Sequence, residues 1–154
     1  MRISSELFPF ASHGEYGYSL SYCAPLLAKV GELAKKYNHR LTTHPGQFNQ
    51  LGSPRPSVIE GTVRDLTYHC EMLDLMGQGK DGVMIIHGGG TFGDKAATIE
   101  RIKENLRAGI LPKNVLDRVV LENDEVRILV HIGSRLTEVF ELAGLFSRRS
   151  AANL

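Results

Sequence analysis

The sequence predicts an α/β fold built on a parallel β-sheet, with about four strand and helix units. Short segments rich in Ile, Val, Leu or Thr alternate with longer segments whose apolar residues recur at helical spacing. Residues 83–86 are apolar throughout, which is typical of a parallel strand buried on both faces. The composition, with 42% hydrophobic and 23% charged residues, is that of an ordinary globular domain.

Four strands are predicted, each ending at or next to a polar residue. They cover residues 2–5, 40–44, 83–87 and 118–122. Right-handed crossovers would make these strands parallel and would bring their carboxyl ends to one rim of the sheet. A closed barrel of eight such units needs about 250 residues. The 154 residues of the chain therefore form either an open sheet or part of a barrel.

Four helices are predicted between and after the strands. They cover residues 26–36, 56–76, 94–106 and 136–143. In the first helix, Leu26, Val30, Leu33 and Ala34 recur at helical spacing and form one apolar stripe. Near the start of the second helix, Ser57 and Glu60 have the spacing of a capping box, in which both side chains bind free amides of the first turn.

Charge and composition exclude several classes of protein. The formal net charge is +1, so a nucleic-acid partner would be held by a local patch and not by a global basic field. No apolar run is long enough to cross a membrane, and no secretory leader is expected. Cys23 and Cys70 lack the spacing of a redox or metal motif, which indicates a reducing compartment.

Three residues able to bind a metal stand at the ends of successive predicted strands: His44, His87 and Glu122. Their separations match one strand, loop, helix and loop, so we expect them to meet at one rim. Two imidazoles and a carboxylate can hold Zn²⁺ or Mn²⁺ and leave positions open for water and phosphate. Such an ion promotes hydrolysis of phosphate esters. The alternative is that the two histidines only bind loop backbone.

The glycines of residues 88–93 also fit the G-x-G-x-x-G pattern of dinucleotide-binding folds. In that fold an acidic residue follows about 20 residues later, whereas Glu122 lies further along and His87 directly precedes the glycines. A Walker A loop is excluded because Asp94 and Lys95 follow the last glycine. A plain turn with phosphate-binding amides is the favoured interpretation.

Several separated motifs resemble the UV damage endonucleases, metal-dependent DNA repair enzymes on a TIM barrel of the xylose-isomerase-like group. The motifs are Arg2-Ile3-Ser4-Ser5, Phe8-Pro9, Ser12-His13, Thr43-His44-Pro45-Gly46-Gln47-Phe48, Asp65-Leu66-x-Tyr68-His69, His87-x-Gly89-Gly90-x-x-Gly93-Asp94-Lys95 and Leu121-Glu122-Asn123-Asp124. The resemblance implies a partial, truncated TIM barrel of about four βα units in residues 1–125. Residues 126–154 do not match the family's continuation and are expected to form a divergent C-terminal helix and tail.

The resemblance also implies an activity, which is nicking of DNA 5′ of UV photoproducts by metal-assisted phosphodiester hydrolysis. His44, His87 and Glu122 would be ligands of a divalent cluster, with Mn²⁺ favoured and Mg²⁺ or Zn²⁺ as alternatives. His13 would lie close to them as a ligand or a phosphate contact.

Further residues would meet the DNA. Gln47 and Phe48 resemble the family's probing pair, which enters the duplex at the lesion. Lys95 would contact backbone phosphates, with Arg55 and Arg64 as weaker candidates. From the residues alone, Phe48 is better explained as a loop anchor packed on the core. His69 lies on the apolar side of its helix and is expected to be packed there.

The expected partner is damaged double-stranded DNA, and the expected location is intracellular: the nucleus or mitochondrion of a eukaryote, or the cytoplasm of a bacterium. An incomplete barrel exposes sheet edges, which favours self-association and weak or absent activity of the chain alone. Two alternatives stay open. One is another xylose-isomerase-like enzyme, such as an abasic-site endonuclease or a sugar isomerase, and the other is a non-catalytic DNA-binding fragment.

Overall fold

One five-stranded sheet organises the chain, and the computed structural model describes residues 1–122 and 130–131. The strands are β1 (Arg2–Ile3), β2 (Thr42–Thr43), β3 (Met84–His87), β4 (Val119–Glu122) and β5 (Val130–His131). The helices are a 3₁₀ helix (Leu20–Cys23), α1 (Ala24–Lys36), α2 (Pro56–Leu75), α3 (Lys95–Arg107) and α4 (Lys113–Leu116).

The first four strands are parallel, and strands that are neighbours in the sheet are also consecutive in the sequence. The fifth strand is antiparallel to β4. A sequential parallel order with intervening helices is the arrangement of a TIM barrel, so the prediction of a partial barrel is confirmed. A dinucleotide-binding fold reverses the strand order at its centre. That alternative is therefore wrong.

The four predicted strands are present but shorter than expected, and His44 follows β2 directly. The 3₁₀ helix, α4 and β5 were not predicted, because elements of two to four residues carry too little periodicity to stand out. The predicted helix at 136–143 and the predicted boundary between 125 and 126 lie outside the described residues.

The core lies where α2 and its neighbouring helices pack against the sheet. Buried side chains of α2, such as Leu66 and Leu73, belong to the same cluster as Met84 of β3 and Val119 of β4. His69 is also buried, as expected.

The apolar side of α1 differs from the expectation. Leu26, Val30 and Leu33 are exposed, and the buried positions are Leu27, Gly31 and Ala34. The stripe identified from the sequence is therefore confirmed for Ala34 and wrong for Leu26, Val30 and Leu33.

The predicted capping box of α2 is wrong. Arg55 is the N-cap residue and makes no side-chain cap bond, while Pro56 occupies the first turn. Proline suits that position because its missing N–H would have no helical partner there. The other end agrees with the prediction, since Gly77 has φ of +62° just beyond the helix.

Candidate metal centre

The structure brings His44, His87 and Glu122 together at the carboxyl end of the parallel strands. His87 and Glu122 are the last residues of β3 and β4 and are register partners. One ligand atom from each of the three residues can be chosen so that all lie within 4.8 Å of one another. Ligands at 2.0–2.2 Å from a single ion lie about 3 to 4.4 Å apart, so the three atoms would move slightly closer together around an ion. The donor set fits one divalent cation.

The electrostatics of this group favour an ionised carboxylate. Nε2 of His44 lies 2.9 Å from Oε2 of Glu122, and Nδ1 of His87 lies 3.6 Å from the same oxygen. The hydrogen bond from His44 lowers the pKa of Glu122, and the charges of His44, His87 and Arg2 lower it further. A carboxylate held in its charged form between two imidazoles is suited to a cation.

A polar cavity of about 290 Å³ lies in front of the group. Arg2, Ser4 and Gln47 line it together with the two histidines. The cavity therefore combines donors for a cation with a guanidinium that can attract a phosphate.

The loop after β2 presents Gln47 and Phe48 to solvent. Its turn closes with a 3.0 Å hydrogen bond from the Asn49 N–H to the Gly46 carbonyl. The ring of Phe48 is 82% exposed. The interpretation of Phe48 as a loop anchor packed on the core is therefore wrong for the described residues.

His13 lies outside the three-residue group. Its Nδ1 accepts hydrogen bonds of 3.1 Å from the N–H groups of Glu15 and Tyr16, and its ring stacks on that of Tyr16 at 4.9 Å. Nε2 is the ring nitrogen that remains for a metal or a phosphate. Its role as a ligand or phosphate contact stays a prediction.

The three candidate phosphate contacts occupy different positions. Lys95 is the exposed first residue of α3, and Arg55 is exposed at the start of α2. Nε of Arg64 donates to the Ser12 carbonyl at 3.2 Å, so this side chain holds the loop after β1. Contact of any of them with DNA stays a prediction.

Two polar residues near the site carried no prediction. Arg2 lines the cavity from an edge strand, where a single charged residue gives no distinctive pattern. Asp65 accepts hydrogen bonds from the loops after β1 and β2. Two sequence features could have drawn attention to Asp65: its place in the motif Asp65-Leu66-x-Tyr68-His69, and its spacing from His69 by one helical turn.

Within the ranges that the structure describes, no helix combines the length and apolar character required to span a bilayer.

Comparison with known proteins gives consistent matches. The family model described as UV-endonuclease UvdE matches residues 1–138. The UV-damage endonuclease of Neurospora crassa is 54% identical over 136 residues, which covers 85% of this chain and 20% of that protein. The relative from Schizosaccharomyces pombe is 52% identical over 130 residues, covering 82% of this chain and 21% of that protein. The UV DNA damage endonuclease of Bacillus pumilus is 39% identical over 127 residues, which covers 80% of this chain and 38% of that protein.

A solved structure also matches. The crystal structure of SacUVDE aligns with a TM-score of 0.73 and 35% identity over 80% of this chain and 42% of that chain. The chain thus spans about a fifth of the length of the fungal relatives and less than half of the others named here. Because the family model covers most of its length, the chain belongs to the UV-endonuclease UvdE family.

Proposed function

We propose that this chain contributes to nicking of DNA 5′ of UV photoproducts by metal-assisted phosphodiester hydrolysis. The observation that carries the proposal is the convergence of His44, His87 and Glu122 beside the exposed Gln47 and Phe48. In a member of this family, this arrangement supports a site in which phosphodiester hydrolysis would take place next to side chains suited to enter a distorted duplex.

A divalent ion fits the donor set. Two imidazole nitrogens and one carboxylate oxygen suit Mn²⁺, with Mg²⁺ and Zn²⁺ as alternatives. When bound, such an ion supplies an activated water and neutralises phosphate charge. The three donors that converge among the described residues are few for a six-coordinate ion, so we expect weak metal binding and weak or absent activity of the chain by itself.

The protein side chains divide the remaining work. Arg2, which lines the cavity, attracts the scissile phosphate, and Gln47 and Phe48 occupy the space left by disrupted base stacking. His13 acts beside the centre as a ligand or phosphate contact. Lys95 holds the flanking backbone, with Arg55 and Arg64 in support.

The partner in this proposal is double-stranded DNA that carries a UV lesion. Because the substrate is DNA, the proposed location of the protein is intracellular: the nucleus or mitochondrion of a eukaryote, or the cytoplasm of a bacterium. A non-catalytic DNA-binding fragment is the competing hypothesis.

The test is cleavage of a labelled duplex with one pyrimidine dimer, in buffer with and without Mn²⁺. We expect slow nicking immediately 5′ of the dimer that depends on Mn²⁺ and is lost in His87→Ala. Glu60→Gln is the matched control, because Glu60 is exposed on α2 and takes no part in the centre. Isothermal titration with Mn²⁺ accompanies the assay, and weaker binding is expected for His44→Ala and His87→Ala.

The alternatives give different results. A DNA-binding fragment would bind the duplex without nicking it, and both histidine variants would leave its binding and its heat of titration unchanged. The activity of an enzyme for small sugars would not change in Phe48→Ala. Either pattern would contradict the proposal.

A further inference from the structure

We propose that Asp65 is a positioning residue that fixes two rim loops relative to each other and thereby holds Phe48 in place for lesion recognition. The first rim loop is residues 4–19, between β1 and the 3₁₀ helix, and the second rim loop is residues 44–55, between β2 and α2. The inference rests on the proposed function, because it concerns how DNA is presented to the same centre.

One carboxylate joins the two loops. Oδ1 of Asp65 accepts a hydrogen bond of 2.7 Å from the Ser12 hydroxyl, and Oδ2 accepts one of 2.7 Å from Nδ2 of Asn49. Ser12 directly precedes His13, and Asn49 directly follows Phe48. Both distances are typical of strong, charge-assisted hydrogen bonds. Asp65 therefore holds each loop at the residue next to a candidate functional side chain.

The surroundings make these two bonds effective. The Asp65 side chain is 21% exposed and Asn49 is 6% exposed, so water competes little for either bond. Asn49 also donates through Nδ2 to the Gly46 carbonyl at 3.0 Å, which closes the turn that carries Gln47 and Phe48. The position of the turn is thus set by a buried amide, and the orientation of that amide is set by Asp65.

Phe48 depends on this support because its own ring contributes little packing. At 82% exposure, its location is determined by the backbone of the turn and not by contacts of its ring. Loss of the Asp65 bonds should therefore loosen Phe48 directly.

Other contacts keep the fold in place when Asp65 is changed. α2 also holds the first rim loop through the Tyr68 hydroxyl, which donates to the Ser5 carbonyl at 3.0 Å, and through Glu71, which accepts from the Ser19 hydroxyl at 2.7 Å. Thr62 accepts from the Gln50 N–H at 3.1 Å in the second rim loop. A change at Asp65 should therefore act locally, on the segments next to His13 and Phe48.

The first experiment uses fluorescence, since the chain contains no tryptophan. Phe48→Trp and Tyr16→Trp each place one reporter in one rim loop. In both backgrounds, Asp65→Leu removes both hydrogen bonds and should lower the anisotropy of both reporters. Ser12→Ala removes one bond and should affect only the reporter at position 16. Asp65→Asn can still form hydrogen bonds with both Ser12 and Asn49. The anisotropy of both reporters should therefore stay near that of the protein with Asp65 unchanged.

The matched control is Glu60→Leu, which introduces the same side chain at an exposed position of the same helix and should change neither reporter. Circular dichroism melts identify any variant that has not folded. If Asp65→Leu fails to fold, the comparison of Ser12→Ala with Asp65→Asn still decides the question, because Ser12→Ala removes a hydrogen bond to Asp65 that Asp65→Asn keeps, and both changes alter the volume little. Equal anisotropies across folded variants would overturn the inference.

The second experiment measures the ratio of affinities for lesion-containing and undamaged duplexes, with Phe48 unchanged. We expect Asp65→Leu to lower this ratio by about tenfold, because a loosened Phe48 has to be ordered again when it binds the lesion. An unchanged ratio in a protein that does recognise lesions would contradict the role of Asp65. If the protein with Asp65 unchanged binds lesion-containing and undamaged duplexes equally well, the proposed function is wrong. The role of Asp65 in lesion recognition is then wrong as well.

Discussion

His69 shows at the residue scale how burial controls charge in this chain. The side chain is 1% exposed and its ring packs against that of Tyr68 at 4.2 Å. Its Nε2 lies 3.6 Å from Asp65, and among the described residues its Nδ1 has no hydrogen-bond partner. Burial lowers the pKa of His69 to about 4, although the charge of Asp65 acts in the opposite direction. The folded protein therefore contains a neutral His69 near pH 7.

This neutral histidine predicts a loss of stability in acid. In the unfolded chain the pKa of His69 is near 6.5, and in the folded protein it is about 4. Between these values the unfolded state binds more protons, so the free energy of unfolding falls as the pH falls from 6.5 to 4. The loss attributable to His69 is up to about 3 kcal/mol. Urea unfolding at pH 7, 5.5 and 4.5 measures it.

The matched comparison is between His69→Phe and the exposed His39→Ala. His69→Phe should flatten the pH dependence over this range, and His39→Ala should leave it unchanged. An equally steep dependence in His69→Phe would show that other groups cause it.

Individual site residues differ in how far the sequence predicts them. His44, His87 and Glu122 were predicted because each ends a strand, and parallel strands bring their ends to one rim. The exposure of Phe48 could not be predicted from the residues alone, since the shape of a turn leaves no periodic pattern. Arg118, which lies outside the site, was missed for a different reason. It is buried and donates to the carbonyls of Gly79 and Gly82 and to the carboxylate of Asp74, and these partners are too far from it in the sequence for any spacing to reveal them.

At the scale of elements, α1 and α2 meet through a very close backbone approach. A Cβ atom added to Gly31 of α1 would lie 1.8 Å from the carbonyl oxygen of Met76, just beyond α2. That oxygen belongs to the main chain, so it cannot move aside as a flexible side chain would. Gly31 therefore sets the distance between the two helices.

Two glycine-to-alanine substitutions should consequently have opposite effects on the stability of the protein. Alanine is favoured over glycine in a helix by up to about 1 kcal/mol, but at Gly31 the clash with Met76 dominates. We expect Gly31→Ala to destabilise the protein by about 2 kcal/mol. Gly61→Ala in α2 should stabilise it by about 0.5 to 1 kcal/mol, because the nearest atom is 3.9 Å away on the flexible Arg64 side chain. Urea unfolding of both variants measures the difference, and a shift of equal sign would refute this account.

Two sides of α1 are apolar enough to face the core, and only one of them does. Residues 26, 30 and 33 and residues 27, 31 and 34 both follow helical spacing, and both sets are apolar or small. Periodicity predicts the helix but not which of two apolar sides faces the core. The choice depends on the neighbouring elements, and here the close approach at Gly31 decides it.

At the scale of the whole molecule, the described part of the chain leaves apolar surface open on one side of the sheet. Among the described residues β1 is an edge strand, α1 exposes Leu26, Val30 and Leu33, and Tyr22 and Tyr37 are exposed on either side of α1 in the sequence. In a closed barrel of eight units each helix has a neighbour on both sides. A surface of this kind favours association with another apolar face.

We therefore expect the chain to self-associate as its concentration rises. Sedimentation velocity between micromolar and hundred-micromolar concentration should show a shift to larger species, since exposed apolar stripes and free sheet edges both promote contact. Leu33→Glu should reduce the shift. Lys29→Glu is the control, because Lys29 is a polar and exposed residue of the same helix. A monomer at all concentrations would contradict the expectation.

The register between β3 and β4 also restricts where the length of the chain can change. His87 and Glu122 stand side by side, and consecutive side chains of a strand alternate between its two faces. Deleting one residue inside β4 would turn the glutamate away from its imidazole neighbours. An extra residue in the connection at 108–112 would leave both where they are. Tolerated insertions and deletions should therefore gather in the connections, and the short strands should keep a constant length.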